Sequence, residues 1–573
     1  MKASTSKRSQ AAIATATADE ALLAELGYKQ EFQRAFRPIE VFGVSLSIIG
    51  LLPSIASVLF YALPNGAGPG MVWGWFAASI LILSVAAAMG ELASAAPTSG
   101  GLYFWTYSLS SPRWRTLLCW IVGYANTIGS VAAVASIDWG CAVQVMAAAG
   151  IGSGTNEAGE PNFMPTNAEM FATYALLLAT HALLCSIGTQ ALARLQSFYV
   201  GVNGLLCLAL LIALPICTPS DKRNTASFAL GSEGWVNLNG WPSGFAFIMS
   251  FLAPLWTICS FDSAVHISEE ATNAARAVPM AIVGACAVGG VVGFAINIAL
   301  AFCMGTDIEA LYDAEQPLAA ILLPAFGQKG TLAFWAFVVA VQYMMGSSML
   351  LAASRQTFAF SRDGALPFSN WLYRMNDFTG TPVNTVWFVA FLSLLLGLLA
   401  FAGDQAINAV FSLSVIALYI AYIIPIVARF TGDNDFKPGP FSLGKWSFPI
   451  SFLAVAFMTL MSVVFLFPAT PNPAVPDMNY SVVVLGGVLG ASVVYFYVPR
   501  YGGKYWFTGP VSTVEEDGVG AAGGRGGGHA GGERGRAGVE GESEGSRKSS
   551  RDDDSKTSED RKGGDVDVQV VDI

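Results

Sequence analysis

Charge is what this 573-residue chain has least of: Asp, Glu, Lys and Arg make up only 12% of it, against 54% hydrophobic residues. Soluble domains carry about twice that charged share, and the mean hydropathy of +0.53 points the same way. A soluble globular class is excluded, and a polytopic membrane protein is expected. The eight cysteines (Cys119, Cys141, Cys185, Cys207, Cys217, Cys259, Cys286, Cys303) have neither paired short spacings nor histidine partners. That argues against a disulfide frame or a zinc site; as small buried hydrophobes they need no function. There is no phosphate-cradling glycine loop with its lysine, no metal-ligand spacing and no nucleophile–histidine pair, so an enzyme or an ATP-driven pump is disfavoured and no cofactor is expected. A repeated filter and a ring of like charges are missing too, which argues against a channel. The net charge of −10 owes much to the tail. It says little about partners, and no nucleic acid is expected among them. The first forty residues hold no hydrophobic leader, so the apolar run from Val41 is expected to be an uncleaved first span.

What the chain does have is apolar runs. Charge-poor stretches predict twelve spans, at about 42–63, 71–94, 116–148, 171–191, 197–217, 242–264, 279–304, 331–354, 384–403, 406–428, 447–467 and 480–499. The third is too long for one upright helix. With the head placed inside, basic residues (Arg37, Arg113, Arg194, Arg276, Arg355 and Arg429 among them) gather on the inner side, while the outer loops hold only Lys222, Arg223 and Lys329. By the positive-inside rule both termini are cytoplasmic. The outer stretch 151–170 is acidic, with Glu157, Glu160 and Glu169, and the sequon Asn479-Tyr480-Ser481 abuts the last span, where it is expected to stay unmodified. Three regions follow. Residues 1–40 are a cytoplasmic head, 41–505 the membrane domain, and 510–573 a tail that is glycine-rich over 518–535 and crowded with charge and serine over 540–562. Such a composition cannot bury enough apolar surface to fold, so the tail is expected to be disordered and open to modifying regulators.

Two spans are interrupted. Residues 252–262 read LAPLWTICSFD, with Pro254 inside an uncharged run, and 47–57 read SIIGLLPSIAS, with Gly50 and Pro53. A mid-helix proline removes a backbone hydrogen bond and crowds the carbonyl one turn earlier. In hydrocarbon such a break survives only where protein or a polar cavity satisfies it. A kinked helix satisfied by its neighbours is the bland alternative. Two interrupted segments, each opening one half of a chain, instead point to a transporter of inverted repeats, with its site between the breaks. Ionisable residues in spans are few: Glu91, Asp138, His181, Asp262 and His266. Asp262, just past the second break with Thr257 and Ser260, is the leading candidate to pair with an ammonium or to titrate; capping the inner half-helix is its plainer role. Trp256, near mid-span rather than at an interface, is a candidate gate or cation–π face, with core packing as its alternative. Glu91 is a coupling or gating candidate set against a snorkelling carboxylate. His181 reads as a packing residue, His266 lies near the inner surface, and Asp138 reaches a vestibule or the interface.

Three stretches make the sequence familiar. Residues 91–105 (ELASAAPTSGGLYFW), 268–279 (SEEATNAARAVP) and 352–367 (AASRQTFAFSRDGALP) resemble the amino acid–polyamine–organocation transporter superfamily, in particular its fungal amino acid/choline/GABA permease branch. The match covers about 35–505 and leaves out head and tail. It implies an all-α integral membrane fold of twelve transmembrane helices. These form a five-plus-five inverted repeat (42–217 and 242–428) with broken first and sixth helices and two added spans (447–499). It also implies secondary transport of amino acids or related amines by alternating access. Carried over by position, the unwound part of span 1 is Ile48, Ile49, Gly50 and Leu51, flanked by Ser47 and Ser54, and that of span 6 runs from Trp256 through Thr257 and Ser260 to Asp262. The chain departs from the family's Gly-x-Gly in span 1, having only Gly50, and it has no lysine in span 5 to stand in for a sodium ion. Protons are the expected coupling ion; Ser347, Ser348 and Ser354 keep sodium open. The expectation is a proton-coupled permease for a small solute such as GABA, seated in a lipid bilayer. The plasma membrane is the first choice, with a vacuolar or other internal membrane as alternative. A choline, ethanolamine or polyamine carrier and a non-transporting nutrient sensor are the competing readings.

Overall fold

A computed structural model of the chain describes residues 18–154, 162–475 and 478–514. Among them the regular structure is helical, and two isolated β-bridges are the only extended pairings. Ten helices are long and apolar enough to cross a membrane, and two further apolar helical stretches, Ser243–Thr257 and Ser481–Tyr497, are shorter. In order, span 1 is the pair Pro38–Ile49 and Leu51–Ala62, span 2 Ala67–Ala95, span 3 Arg115–Ser153, span 4 Asn167–Ile187 and span 5 Thr189–Cys217. Span 6 is broken into Ser243–Met249, Leu252–Thr257 and Ser263–His266; span 7 is Ala274–Cys303, span 8 Pro317–Arg362, span 9 Val383–Gly397 and span 10 Asp404–Thr431. Ser447–Val464 and Ser481–Tyr497 close the series as spans 11 and 12. Each expected run contains helix, and the sixth is interrupted over 258–262. Span 3, at 39 residues, is about 58 Å long and does overrun a bilayer. Span 8 is far longer than the expected 331–354, because its helix continues through a bend at Gly327 (φ 65°, ψ 174°).

The halves interlock. The inner end of span 1 packs on the broken segment of span 6, span 2 on span 7, span 3 on span 8, and span 4 on span 9. Span 1 is buried almost throughout, which explains its lack of any polar face. Span 5 instead exposes Leu205, Leu208, Ile212 and Ile216, a helical-period stripe suited to lipid.

Described parts of the head and tail belong to this fold. Tyr28, Phe32 and Phe36 are buried, and Phe36 bridges Ala271. The Thr513 N–H donates to the Gly27 carbonyl (2.8 Å), and the Lys29 N–H donates to Thr513 Oγ1 (2.8 Å). The described parts of head and tail therefore meet. The expected disorder from 515 onward, and Glu157 and Glu160, lie outside the described residues. Asn479 of the sequon donates its amide to the carbonyls of Phe465 (2.6 Å) and Phe467 (3.1 Å).

Candidate functional site

The first break is made by one residue. Gly50 adopts the left-handed conformation (φ 43°, ψ 56°) between two helical halves, which costs a side-chain-bearing residue about 1–2 kcal/mol. Space forbids a side chain as well, since a Cβ there would lie 2.8 Å from Met345 Sδ. Ser54 Oγ turns back to the Ile49 carbonyl (2.7 Å) and so satisfies an acceptor freed by the break. Pro53 falls in the first turn of the second half, where its missing N–H has no intrahelical partner to lose.

The second break is not where the proline suggested. Pro254 sits in the first turn of Leu252–Thr257 and is tolerated for the same reason. The chain unwinds one turn later, over 258–262, with Ser260 left-handed at φ 55°. Ser45 Oγ reaches the Phe261 carbonyl (3.5 Å), tying this break to span 1. The Ser47 and Thr257 hydroxyls are buried without a partner among the described residues.

Between the breaks lies a small cavity lined by Ile48, Ala133, Ile137, Trp256, Cys259, Ser260, Met345 and Ser414. No charged side chain lines it, and it has room for about a single water molecule. Of the residues carried over from sequence, Ile48, Trp256 and Ser260 line it directly. Gly50 and Ser54 stand behind Met345, which Ser54 Oγ also approaches (3.3 Å). Ile49 turns away to Gly289 of span 7.

Asp262 is not free to meet a ligand. Tyr422 O–H donates to its Oδ1 (2.7 Å), and its Oδ2 lies 3.2 Å from His266 Nε2. His266 Nδ1 is 3.0 Å from the Ser99 carbonyl; a carbonyl can only accept, so Nδ1 carries hydrogen. Asn126 Nδ2 stands 3.2 Å from the same Nε2. Asp262 is thus held in a buried hydrogen-bonded cluster just past the break, rather than forming a wall of the cavity. Glu91 is an anchor. It accepts from Arg429 Nη1 (2.6 Å), Ser447 Oγ (2.7 Å), Ser442 Oγ (3.0 Å) and the Leu443 N–H (3.2 Å), clamping span 2 to the end of span 10 and the following loop. It is buried rather than snorkelling, and none of these partners lines the cavity.

The two sides of the cavity are closed differently. Span 7 starts beside the head, where Asp19 accepts from the Asn273 and Ala274 N–H groups (2.7 and 3.2 Å), so the loop after its far end lies opposite the termini. That loop contributes Tyr312, Glu315 and Gln316 to a broad vestibule, along with Ser57, Trp139 and Phe411. Phe411 stacks on Trp256 with ring centroids 4.9 Å apart, and Trp256 Nε1 donates to Ser136 Oγ (3.1 Å). Trp256 lines the cavity and Phe411 the vestibule, so this ring contact lies between the two spaces.

On the termini side stands a polar plug. The buried pairs Arg355–Glu270 (2.7 Å) and Arg362–Glu269 (3.0 Å) hold it, and the Ser99 N–H donates to Glu269 (3.0 Å). Tyr103, Tyr28 and the Val511 N–H donate to Asp363 (2.6, 3.3 and 2.9 Å). Burial raises the Asp363 carboxyl above its ordinary value, against Arg362 and these donors, and it raises the Tyr28 and Tyr103 hydroxyls as well. The three stretches that made the sequence familiar are the walls of this plug: Ser99 and Tyr103 from the first, Glu269 and Glu270 from the second, Arg355, Arg362 and Asp363 from the third.

Sequence reasoning missed the cavity walls from spans 3, 8 and 10, because a neutral Ala133, Met345 or Ser414 carries no signal until packing places it. It also missed His266 as the partner of Asp262, although a spacing of four residues on a helix announces that pairing.

Comparison with known proteins follows from here. Residues 38–489 match the family described as amino acid permease. An uncharacterised amino-acid permease of Schizosaccharomyces pombe is 39% identical over 505 residues, 88% of this chain and 90% of its own length. The GABA-specific permease of Saccharomyces cerevisiae is 37% identical over 508 residues, 87% of each chain. A putative polyamine transporter of Candida albicans is 31% identical over 512 residues, covering 87% of this chain and 90% of the relative.

Proposed function

The chain belongs to the amino acid permease family, and from that premise we propose that it is a secondary transporter carrying a small amine-bearing solute, an amino acid such as GABA, together with protons. The observation that carries this reading is the pair of breaks, at Gly50 and at 258–262, meeting at one cavity with no charged wall. The helix beginning at Leu51 turns its positive end to that space, and the helix ending at Thr257 turns its carbonyls to it. The first suits a carboxylate and the second an ammonium. A zwitterion brings its own counter-charge into such a site. A bare polycation would need a carboxylate, and Asp262, just past the break, is taken by Tyr422 and His266. This favours an amino acid over a polyamine, the cargo that the name of one relative suggests. Choline remains the competing cargo, since Trp256 offers it a ring face.

The same reading assigns the remaining roles. Trp256 and Phe411 gate the vestibule side, and Asp262 with His266 is a proton-sharing couple at the break. Ser47 and Thr257, each with a free hydroxyl, are offered to the substrate once the cavity widens. The plug faces the cytoplasm with both termini, the vestibule faces outward, and the plasma membrane is the site of action; the tail is the handle for modifying regulators.

The test is uptake in a permease-deficient host. Labelled GABA, neutral amino acids, choline and putrescine are supplied at about pH 5 and about pH 7.5, either side of the ordinary histidine range, with sodium present or replaced. Acid-stimulated, sodium-independent uptake of an amino acid is expected. Uptake that needs sodium and ignores pH defeats proton coupling, choline alone moves the cargo, and substrate binding without uptake makes the protein a sensor.

A further inference from the structure

A second aspartate–histidine pair lies behind the cavity, where Asp138 adjoins the cavity-lining Ile137. His181 Nδ1 of span 4 sits 3.1 Å from the Asp138 carboxylate of span 3, and both side chains are fully buried. Span 8 makes room for them at Gly346: a Cβ there would fall 2.2 Å from Asp138 Oδ1 and 2.6 Å from His181 Cε1. The Tyr343 ring covers the imidazole at 4.2 Å. The other titratable groups close enough to feel Asp138 are Cys141 on its own span and Tyr174 and Cys185 on span 4; span 9, which also packs on spans 3 and 4, carries no ionisable residue over Val383–Gly397. No cation stands beside the carboxylate.

Three buried polar atoms along this seam have no partner among the described residues, His181 Nε2, Gln342 Oε1 and Gln144 Oε1, and the two Asp138 oxygens share the single Nδ1 of His181, 3.1 Å from each. Native interiors leave few such atoms, and a polar seam of this kind is where buried water sits. The seam has a direction. Gln342 Nε2 donates to the Ile137 carbonyl (2.9 Å), next to Asp138 in sequence. Gln144 Nε2 donates to Pro53 O (2.9 Å) and Ser57 Oγ (3.0 Å). A Cβ on Gly140 would lie 2.8 Å from Ser57 Oγ and 3.3 Å from Gln342 Nε2, so both side chains border the space beside Gly140. Ser57 and Gly140 line the vestibule.

We propose that Asp138 and His181 form a proton-binding site, fed from the vestibule through Ser57, Gln144 and Gln342, that acts through span 8 on the Gly50 break. The inference rests on the proton-coupled reading above. With His181 neutral, its Nδ1–H donating to the carboxylate, the pair carries one buried negative charge without a counter-ion. One proton taken from the vestibule, on His181 Nε2 or on the carboxylate, makes the pair neutral overall, the state a dry interior accepts. Release of that proton restores the charge and draws water back into the seam. Gly346 adjoins the carboxylate while its neighbour Met345 fills the space beside Gly50, so a change at the seam is felt at the break one residue away.

The experiment uses the full-length protein in proteoliposomes, with the labelled amine that gives the largest uptake in the host. Asp138→Asn keeps an acceptor for His181 Nδ1 and so preserves the shape of the seam; His181→Gln is the second variant and carries the test if the first does not fold. Accumulation against a gradient with the outside acidic is compared with counterflow at equal pH. In the parent, apparent affinity is expected to change by about tenfold per pH unit where one linked proton titrates. In both variants counterflow persists, accumulation collapses to the equilibrium level, and the pH dependence of affinity flattens. Variants that accumulate substrate with the parent's pH profile overturn the proposal, as does loss of counterflow and accumulation in equal proportion, the mark of a merely structural pair. A parent that ignores the pH gradient defeats the transport reading itself, a result distinct from either.

Discussion

Removing Arg355 alone should unseal the plug. Arg355 Nε donates to Glu270 Oε1 at 2.7 Å, and both side chains are wholly buried. Arg355→Met leaves the Glu270 carboxylate buried without its partner, a loss of about 3–5 kcal/mol in comparable pairs. That penalty falls on the sealed conformation alone, since opening the plug returns Glu270 to water. At about 1.4 kcal/mol per tenfold, the sealed-to-open equilibrium should move by two to three and a half decades. The reporter is Ser99→Cys in a cysteine-free background: Ser99 is fully buried and its N–H bonds Glu269 within the plug. A membrane-permeant thiol reagent should label it about a hundredfold faster or more in Arg355→Met than in the parent. The double variant Arg355→Met/Glu270→Met replaces both charges with apolar groups and should fall back towards the parent rate, because the penalty comes from the unpaired carboxylate. Equal labelling of the single variant and the parent refutes the reasoning. So does a double variant that labels as fast as the single one, which would make lost packing against Phe32 (ring centroid 5.9 Å from the guanidinium) the cause.

Other perturbations test the remaining parts. Gly50→Ala meets a left-handed backbone and Met345 Sδ at 2.8 Å; a strain of about 1–2 kcal/mol from the backbone alone should weaken uptake by roughly tenfold, with Met345→Ala restoring part of it, and unchanged kinetics would remove the substrate from this break. Trp256→Ala deletes the layer between vestibule and cavity, a truncation worth about 3–5 kcal/mol in a packed site; it should abolish saturable uptake while Trp256→Phe, which keeps the stacking on Phe411, retains a measurable part. Truncation after Val514 should leave affinity and thermal stability intact, whereas truncation after Pro510 also removes the Val511 donor to Asp363 and the Thr513 contacts and should lower the unfolding temperature in detergent. Orientation is checked with an impermeant reagent on intact cells: Gly152→Cys should label and Ser546→Cys should not, and the reverse pattern inverts the protein.

What could be read from sequence follows from what sequence encodes locally. Gly50 was legible because a lone glycine in a buried apolar helix has few reasons to exist other than a conformation no other residue takes easily. Pro254 misled by one turn: a proline breaks a helix only where an N–H would have been bonded, and its place in the first turn of Leu252–Thr257 depends on where that segment starts, which packing decides. The plug was visible as three motifs but not as a plug, since Arg355 and Arg362 meet glutamates 85 and 93 residues away. The histidines show the limit most clearly. Each intramembrane aspartate, Asp138 and Asp262, is matched by one intramembrane histidine. Asp262–His266 could be read from its spacing, while Asp138–His181 joins two helices and needed the fold.

The placement of charge also constrains how such a protein can move. The cavity has no charged wall, and the ionisable side chains around it are paired, so a substrate has no side-chain charge there to pull on. What it can alter is the fit of the two breaks, and each break lies in or against a chain segment that continues to the plug. Span 8 carries Met345 at the Gly50 break, Gly346 against Asp138, and Arg355 and Arg362 in the plug; from Met345 to Arg362 it is about 25 Å of unbroken helix. Span 6 carries Trp256 and Ser260 in the cavity, Asp262 just beyond, and leads into Glu269 and Glu270. Each plug salt bridge therefore joins the far end of one of these segments to the far end of the other. On the proposed reading, a substrate that spread Met345 from Ser260 at one end would strain both bridges at the other, and a closed outer layer would keep the opened path to one side.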